Sequence, residues 1–444
     1  MSERKLSIRE KAGFGVCDMG GNLFFTAMGF WSLNYLTDTI GLAAASAGIA
    51  VMIGKIWDAV TDPMMGYISD RTRSRWGRRR PYLLFGAVPL FLSMWYFFTN
   101  PHLAGQTAIF AWATLALCFL NTAYTIVSIP YSALTPELTS DYNERTSLNG
   151  FRFGFAVVGT MLGAAIVLPI VKVFPDRSTG FSVAGLCMGA IMLVATLITF
   201  FSVREPKHEK SDIPSEGFFS TYLSVFRNKA FVVVLLTYAL NILAINFLQG
   251  ILVYYFKYVF RAEGMTTIAM VILLAVTMIF IPISVPISKK IGKRQIYQLG
   301  LGIIAAVCLL LYFTAHLFGP VYFFVMMLVA GMGLGFAYVA PWAMVPDTVE
   351  WDAARSGERR EGAYYGMWTF VSKCGQALSI VVSGFILQWG GYVADTDQSA
   401  SSIAAIRVLI GPLPAIVFAG AIALLFAYPI TEKIYNEMMA KKKS

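Results

Sequence analysis

Twelve long apolar runs follow one another along the 444-residue chain, separated by polar connections. A helix needs about 20 apolar residues to cross the hydrocarbon core of a bilayer, and each run reaches or approaches that length. The runs lie at 12–36, 45–69, 82–99, 107–134, 149–171, 181–202, 230–256, 266–288, 296–316, 320–346, 363–388 and 403–429. The sequence therefore predicts an all-α membrane protein with twelve transmembrane helices.

The composition supports a membrane protein over a soluble one. Apolar residues make up 57% of the chain and charged residues only 14%, which leaves too little polar surface for a water-soluble particle of this size. A net charge of +10 could indicate a nucleic-acid partner, but the basic residues lie between apolar runs and not on one soluble face. We expect a lipid bilayer around the protein and no nucleic acid bound to it.

The distribution of basic residues predicts the orientation. If the N-terminus is cytoplasmic, 27 of the 35 lysines and arginines fall in cytoplasmic segments, six of them in the turn Arg71–Arg80. Such a bias is typical of cytoplasmic loops. We therefore predict a multi-pass protein of the cytoplasmic (inner) membrane with both termini in the cytoplasm. We expect no cleavable signal peptide, because the polar stretch Ser2–Lys11 leads directly into the first apolar run.

A long connection at 203–229 divides the chain into two six-helix halves, 1–202 and 230–444. The second part of this connection has aromatic and leucine side chains at helical spacing, which predicts an interfacial helix: Phe218, Phe219, Tyr222, Leu223 and Phe226. A basic turn follows the second run and another, Lys289–Arg294, follows the eighth. Two six-helix halves around a cavity at the midplane are typical of secondary transporters.

Charged residues within the apolar runs are the strongest functional signal. Each costs about 2.5–3.5 kcal/mol at the centre of a membrane helix, so it needs a partner, a wet cavity or a function. Lys55, Asp58 and Asp62 share one face of the second helix, and two carboxylates one turn apart repel unless a cation lies beside them. That cation could be Na⁺, H⁺ or Lys55. In the structural alternative, Asp58 pairs with Lys55, and Asp18 of the first helix pairs with Arg152 of the fifth.

Polar side chains on other helices add candidate ligands. The fourth helix carries neutral oxygen donors, which suit hard cations and hydroxylated solutes: Asn121, Thr122, Tyr124, Thr125 and Ser128. The eleventh helix places Thr369, Lys373 and Gln376 on one face, next to Trp368. Taken singly, hydroxyl residues and tryptophans such as Trp342 more often serve helix packing or interfacial anchoring.

Catalytic motifs are not found in the sequence. The three histidines, His102, His208 and His316, lie in loops or at helix ends, and no HExxH, GxSxG or Walker pattern occurs. The five cysteines show no CxxC spacing. We expect neither an enzyme nor a cofactor other than a coupling ion. A membrane-embedded enzyme or sensor is the remote alternative.

Several motifs resemble a known family. The segment 57–66, WDAVTDPMMG, and the turn that continues from Asp70 to Arg78 resemble the second helix and loop of the glycoside-pentoside-hexuronide:cation symporters. This family, which includes the melibiose permease, belongs to the major facilitator superfamily. The resemblance continues in Ile129–Tyr131, in Pro346–Trp351 and in Lys373, so that it spans essentially the whole chain.

The resemblance implies roles for residues at matching positions. Asp58, Asp62, Thr61 and Thr125 would form the site for Na⁺, H⁺ or Li⁺, with Lys373 nearby as a competing positive charge. Lys55 is a second candidate coupling residue, because it shares the face of the second helix with Asp58 and Asp62. Asp18 and Arg152 would clamp vicinal hydroxyls of a sugar. Tyr124, Trp342, Trp368 and Thr369 would line the substrate cavity. Ser128 is a further candidate substrate contact, from its place among the oxygen donors of the fourth helix.

The sequence also departs from the melibiose permease. Ser128 stands where that protein has an aspartate, Ser132 where it has a tryptophan, and Cys17 where it has a lysine. These positions bear on galactoside recognition, so melibiose is not the predicted substrate. The stretch Pro130–Thr135 also resembles the sodium-dependent lysophosphatidylcholine symporters, which makes a lysophospholipid the alternative substrate. We predict a monomeric, cation-coupled symporter for a sugar or glycoside that works by alternating access.

Overall fold

The computed structural model of the chain describes residues 6–139, 142–205, 225–356, 361–430 and 434. All regular structure in this part of the chain is helical, and the helices coincide with the predicted apolar runs. Ten helical spans in it are long and apolar enough to cross a membrane. The helices of the first and third predicted runs, Ile8–Asn34 and Arg80–Phe97, are not among these ten.

The described chain forms two compact units. Unit 1 comprises the described residues between 6 and 205 together with 380–397, and unit 2 comprises the described residues of 225–379 and 398–434. Most of the predicted linker, and with it Phe218, Phe219, Tyr222 and Leu223 of the predicted interfacial helix, lies outside the described residues. The predicted boundaries of the two halves and the cytoplasmic location of the termini stay predictions.

Unit 1 contains seven helices in its described part, in the order α1 Ile8–Asn34, α2 Ala44–Arg71, α3 Arg80–Phe97, α4 Gln106–Leu138, α5 Tyr142–Ala165, α6 Val167–Val173 and α7 Arg177–Ser202. A single π-helical turn, Tyr35–Thr39, extends α1. The helices α5 and α6 together cover the fifth apolar run. The main pairs packed in this unit are α1 with α5, α2 with α4, and α3 with α7.

Unit 2 begins with a short 3-10 turn, Val225–Arg227, and a π-helical turn, Tyr255–Val259, extends its first helix as in unit 1. Its helices are α8 Lys229–Tyr254, α9 Thr266–Ile291, α10 Lys293–Ser356, α11 Glu361–Trp389, α12 Ala400–Ile410 and α13 Pro412–Leu425. A break at Gly319, where φ is 73°, divides α10 into the ninth and tenth predicted helices. Residues 380–397, which include the end of α11, pack within unit 1.

Glycines bring α1 and α5 into close contact. A Cβ atom at Gly159 would lie 2.0 Å from the carbonyl oxygen of Met19, and one at Gly163 would lie 2.6 Å from that of Leu23. Real Cβ atoms do not approach backbone atoms this closely, so only glycine fits, as at other tight contacts between membrane helices. This packing holds Arg152 of α5 opposite Asp18 of α1.

The basic turn between α2 and α3 is held by acidic side chains. The carboxylate of Glu205, just after α7, accepts hydrogen bonds from the backbone N–H groups of residues 78–80 at 2.9–3.3 Å. Arg79 pairs with Asp70 at 2.8 Å and with Glu137 at 3.1 Å. These contacts tie the ends of α2, α4 and α7 to the start of α3, where a negative charge is favourable.

The end of α11 packs tightly against the start of α2 within unit 1. A Cβ atom at Gly384 would lie 2.3 Å from the carbonyl oxygen of Ala44. Four residues later, the side-chain oxygen of Gln388 accepts a hydrogen bond from the backbone N–H of Ala45 at 3.2 Å. Because Ala43, the N-cap of α2, offers no side-chain acceptor, Gln388 supplies one of the acceptors that the helix start requires.

Candidate functional site

Two carboxylates and one hydroxyl meet where α2 packs on α4. The Thr125 hydroxyl oxygen lies 3.0 Å from Oδ1 of Asp58 and 2.9 Å from Oδ1 of Asp62. Asp58 is only 2% exposed. The helices can approach closely here because Gly54 of α2 faces Leu117 of α4, and a Cβ atom at this glycine would lie 3.0 Å from that of the leucine. The structure thus brings together three of the four predicted cation ligands.

Thr61, the fourth predicted ligand, makes a different contact. Its hydroxyl donates to the backbone carbonyl of Asp58 within α2, at 3.2 Å. In the next turn, Pro63 has no N–H to donate to the carbonyl of Ala59, so a backbone oxygen of this turn lacks its helical partner. Sequence reasoning did not consider that carbonyl, although the proline marks it.

Lys55 lies on α2 one turn before Asp58 and is buried. Its Nζ lies 5.3 Å from the centroid of the Phe25 ring of α1, within the range of a cation–π contact. The long side chain therefore reaches from α2 to α1. Its predicted coupling role stays a prediction.

Asp18 and Arg152 form an ion pair between α1 and α5. Arg152 donates from Nε to Oδ2 of Asp18 at 2.6 Å and from Nη2 to Oδ1 at 3.2 Å. This fork-like arrangement is the strongest geometry available to an arginine and a carboxylate. The side chains of the two residues are 18% and 22% exposed, so both are within reach of a solute.

Two residues of α4 that were not predicted as ligands complete this pair. The Tyr131 hydroxyl donates to Oδ2 of Asp18 at 2.5 Å, and Nη1 of Arg152 donates to the hydroxyl of Thr135 at 2.9 Å. Helical spacing places both on the face of α4 that carries Tyr124 and Ser128, but it does not give their partners on α1 and α5. In the sequence, Tyr131 stands out only as part of the family motif Ile129–Tyr131.

Tyr124 fills the space between α4 and α1. Its ring stacks on Phe24 with centroids 4.5 Å apart and meets Phe25 edge-on at 5.2 Å. A Cβ atom at Gly21 would lie 3.1 Å from the Tyr124 hydroxyl oxygen, so α1 leaves space for this hydroxyl. Ser128, one turn further along α4, is half-buried.

The other predicted substrate contacts lie in unit 2. Trp368 of α11 is 1% exposed and stacks on Tyr238 of α8, with ring centroids 3.9 Å apart. Trp342 of α10, 47% exposed, meets Trp368 edge-on at 5.8 Å. Trp368 therefore supports the cluster, whereas Trp342 presents an open aromatic surface.

Two further predicted residues follow on α11. Thr369 is exposed, and its hydroxyl donates to the backbone carbonyl of Tyr365 at 3.0 Å. Lys373 is half-buried one turn later. Their roles toward substrate and cation stay predictions.

Comparison with known proteins identifies similar sequences over nearly the full chain. Residues 13–432 match the model of a family described as MFS/sugar transport protein. An uncharacterized symporter of Synechocystis is 30% identical over 99% of this chain and 97% of its own length. The isoprimeverose transporter of Lactiplantibacillus pentosus is 29% identical over 97% of this chain and 90% of its own.

A solved structure supports the fold. A crystal structure of the nucleoside transporter NupG covers 94% of this chain and 99% of its own, with a TM-score of 0.67 and 16% sequence identity. The similarity extends through both units. At this identity it concerns the fold alone.

Proposed function

The chain belongs to the MFS/sugar transport protein family of the major facilitator superfamily, and on this premise we propose that it is a cation-coupled symporter that imports a sugar or glycoside by alternating access. Like its relatives and structural neighbours, it is a multi-pass membrane transporter and not an enzyme. We place it in the inner membrane with both termini in the cytoplasm, as the distribution of basic residues predicts.

The contact of Thr125 with Asp58 and Asp62 carries the proposal. A hydroxyl has one proton and can donate fully to only one carboxylate at a time, yet both carboxylate oxygens lie at hydrogen-bonding distance. A small cation held by the three oxygens would satisfy both carboxylates and relieve their repulsion. Na⁺, Li⁺ or a proton fits this chemistry.

The ion pair of Asp18 and Arg152 supports a hydroxylated substrate. A carboxylate accepts and a guanidinium donates, so together they can bind two neighbouring hydroxyls of a sugar ring. Tyr124 and Ser128 lie on the α4 face that continues toward this pair. Among the residues of unit 2, we assign Trp342, Trp368 and Thr369 to substrate recognition, with the open face of Trp342 as the surface for a sugar ring and Trp368 as its support.

The relatives favour a sugar over the alternative substrate. The description of the matching family names sugar transport, and the relative from Lactiplantibacillus pentosus is an isoprimeverose transporter. The lysophospholipid alternative finds no support among them.

Coupling follows if each ligand stabilises the same occluded state. By linkage, a cation that raises the affinity for sugar is itself bound more tightly, by the same factor, when sugar is present. We assign Lys55 and Lys373 to this coupling, as positive charges that would compete with the cation.

Uptake into proteoliposomes tests the proposal. Inward gradients of Na⁺, Li⁺ or H⁺ would be imposed over a panel of isoprimeverose, methyl hexosides, methyl pentosides, methyl glucuronide and a lysophospholipid. We expect one gradient to drive accumulation of a panel sugar and Asp58→Cys to abolish it. Asp395→Asn is the control, because asparagine tolerates the positive φ of 54° at this loop position. Cation-stimulated accumulation that persists in Asp58→Cys would refute the assignment.

A further inference from the structure

The Tyr131 hydroxyl lies within hydrogen-bonding distance of two acceptors on a single turn of α1, and its one proton is shared between them. Its oxygen lies 2.5 Å from Oδ2 of Asp18 and 3.1 Å from the backbone carbonyl oxygen of Phe14, four residues earlier. The side chain is almost completely buried, and its ring lies 4.6 Å from the Phe14 ring. Both partners are fixed on one helical turn, so Tyr131 joins α4 to α1 at the position of Asp18.

The hydrogen bonds leave the two oxygens of Asp18 unequal. Oδ2 accepts from Arg152 Nε at 2.6 Å and from Tyr131 at 2.5 Å, whereas among the described residues Oδ1 accepts only from Arg152 Nη2, at 3.2 Å. An oxygen with two close donors has little remaining capacity, so Oδ1 is the one available to a substrate hydroxyl. Tyr131 therefore fixes which carboxylate oxygen, and which direction, is offered to the substrate.

Arg152 depends on Tyr131 as well. Its guanidinium carbon lies 5.0 Å from the Tyr131 ring centroid, within cation–π range, and its Nη1 donates to Thr135, one turn further along α4. Both members of the ion pair thus contact α4. Tyr131→Phe would remove only the hydroxyl and its shared hydrogen bond, and would keep the ring under the guanidinium.

The same helix contacts the candidate cation site. Thr125 lies six residues before Tyr131, about 9 Å along the helix axis, and touches Asp58 and Asp62. Between them, Pro130 lacks the N–H that would bond the carbonyl of Ile126, which makes this a position where a helix can bend. A change at the cation site can therefore alter the placement of Tyr131 through α4.

We propose that Tyr131 is a positioning residue of the substrate site, which aims Asp18 and transmits cation occupancy from Thr125 to the Asp18–Arg152 pair through α4. This inference rests on the proposed function, because it assumes that the cation binds at Asp58 and Asp62 and the sugar at Asp18. In this role Tyr131 binds neither the cation nor the sugar itself. It makes the affinity for sugar at Asp18 and Arg152 depend on cation occupancy at Asp58 and Asp62.

Binding measurements on the full-length purified protein test this role. The probe is the panel sugar that the wild-type protein accumulates, and its Kd is measured with and without the driving cation. For Tyr131→Phe we expect Kd with cation to rise about tenfold, since one hydrogen bond to a charged group is lost. The ratio of Kd without cation to Kd with cation should fall toward one. The cation titrated alone should bind as tightly as to the wild type.

Two variants make the result specific. Tyr35→Phe is the matched control, because Tyr35 is a fully buried tyrosine of unit 1 whose hydroxyl makes no hydrogen bond within the described residues. It should bind sugar and cation as the wild type does. In the double variant Thr125→Val, Tyr131→Phe, the loss of the cation effect should be smaller than the sum of the single losses, because both residues act along one route.

The outcomes separate this inference from the proposed function. An unchanged sugar Kd in Tyr131→Phe, or a Kd raised equally with and without cation, overturns the positioning role. A wild-type protein whose sugar affinity does not respond to Na⁺, Li⁺ or pH overturns the proposed function, and the role of Tyr131 with it. Thermal unfolding of each variant shows whether its fold is retained. The single variant Thr125→Val provides the second test of transmission from the cation site to the Asp18–Arg152 pair through α4.

Discussion

Thr125 of α4 donates its hydroxyl hydrogen bond to Asp62 of α2 at an oxygen–oxygen distance of 2.9 Å. The same hydroxyl oxygen lies 3.0 Å from Asp58. A neutral side chain from one helix thereby joins two acidic side chains of another. If a cation binds between the helices, this contact holds them in the arrangement that the cation requires.

Replacing Thr125 with valine is expected to weaken cation binding. Valine keeps the shape of threonine but removes the oxygen, so the cation concentration for half-maximal uptake should rise about tenfold or more, as for one lost bond to a charged group. Thr125→Ser should keep most of the wild-type affinity. Thr114→Val in the same helix is the control, because within the described part of the chain the Thr114 hydroxyl bonds only the carbonyl of Phe110. Equal cation dependence in Thr125→Val and wild type would contradict the site.

Replacing Asp18 with alanine is expected to abolish sugar binding and leave cation binding measurable. The carboxylate is one half of the proposed clamp, and Arg152 alone cannot accept a hydrogen bond. Because Arg152 also loses its charged partner, we expect about 1–2 kcal/mol of lost stability for this partly exposed pair. Calorimetric titration with the panel sugar and with the cation separates the two effects. An unchanged sugar affinity would refute the role of Asp18.

Replacing Glu205 with alanine is expected to destabilise the start of α3. Its carboxylate accepts from the backbone N–H groups of residues 78–80, and loss of a helix cap of this kind costs about 1–2 kcal/mol. The melting temperature of the purified protein should fall, and it should fall less for Glu205→Gln, which keeps an oxygen acceptor. A melting temperature unchanged in Glu205→Ala would show that the turn is held by its other contacts.

Replacing Gly384 with alanine is expected to disturb the contact between α11 and α2. The added Cβ atom would lie 2.3 Å from the carbonyl oxygen of Ala44, so the helices must separate, at a cost of about 1–3 kcal/mol. Gly302→Ala is the matched control, because the nearest atom to a Cβ atom there is 4.0 Å away. We expect a lower melting temperature and less uptake for Gly384→Ala only. Equal stability of the two variants would contradict the tight contact.

The helices were predictable because the bilayer imposes a simple rule. A backbone in hydrocarbon must satisfy its hydrogen bonds internally, so each apolar run of sufficient length becomes a helix. The break at Gly319 lies between the predicted runs 296–316 and 320–346, as expected if each run forms its own membrane-spanning helix. The pairing of Asp18 with Arg152 was predictable as the structural alternative, because a charge within a membrane helix needs an opposite one.

The contacts between helices were only partly predictable. Thr61 and Thr125 were both predicted as cation ligands, yet the Thr61 hydroxyl turns to its own backbone and Thr125 reaches both carboxylates. Helical periodicity gives the face on which a residue lies but not the height or rotation of the helix opposite. Tyr131 was missed for that reason, although its face of α4 was known.

The sequence by itself determined the twelve helices, the shared face of Lys55, Asp58 and Asp62, and the residues that a hydrocarbon environment would not accept without a partner, because these depend on length, period and charge along one chain. Tertiary structure alone decided that Thr125 bridges the acidic pair, that Tyr131 holds Asp18, and that Gln388 completes the start of α2. The physical reason is the depth and angle at which helices pack. Glycines such as Gly54, Gly159 and Gly384 allow that close approach, and it brings residues far apart in sequence within hydrogen-bonding distance.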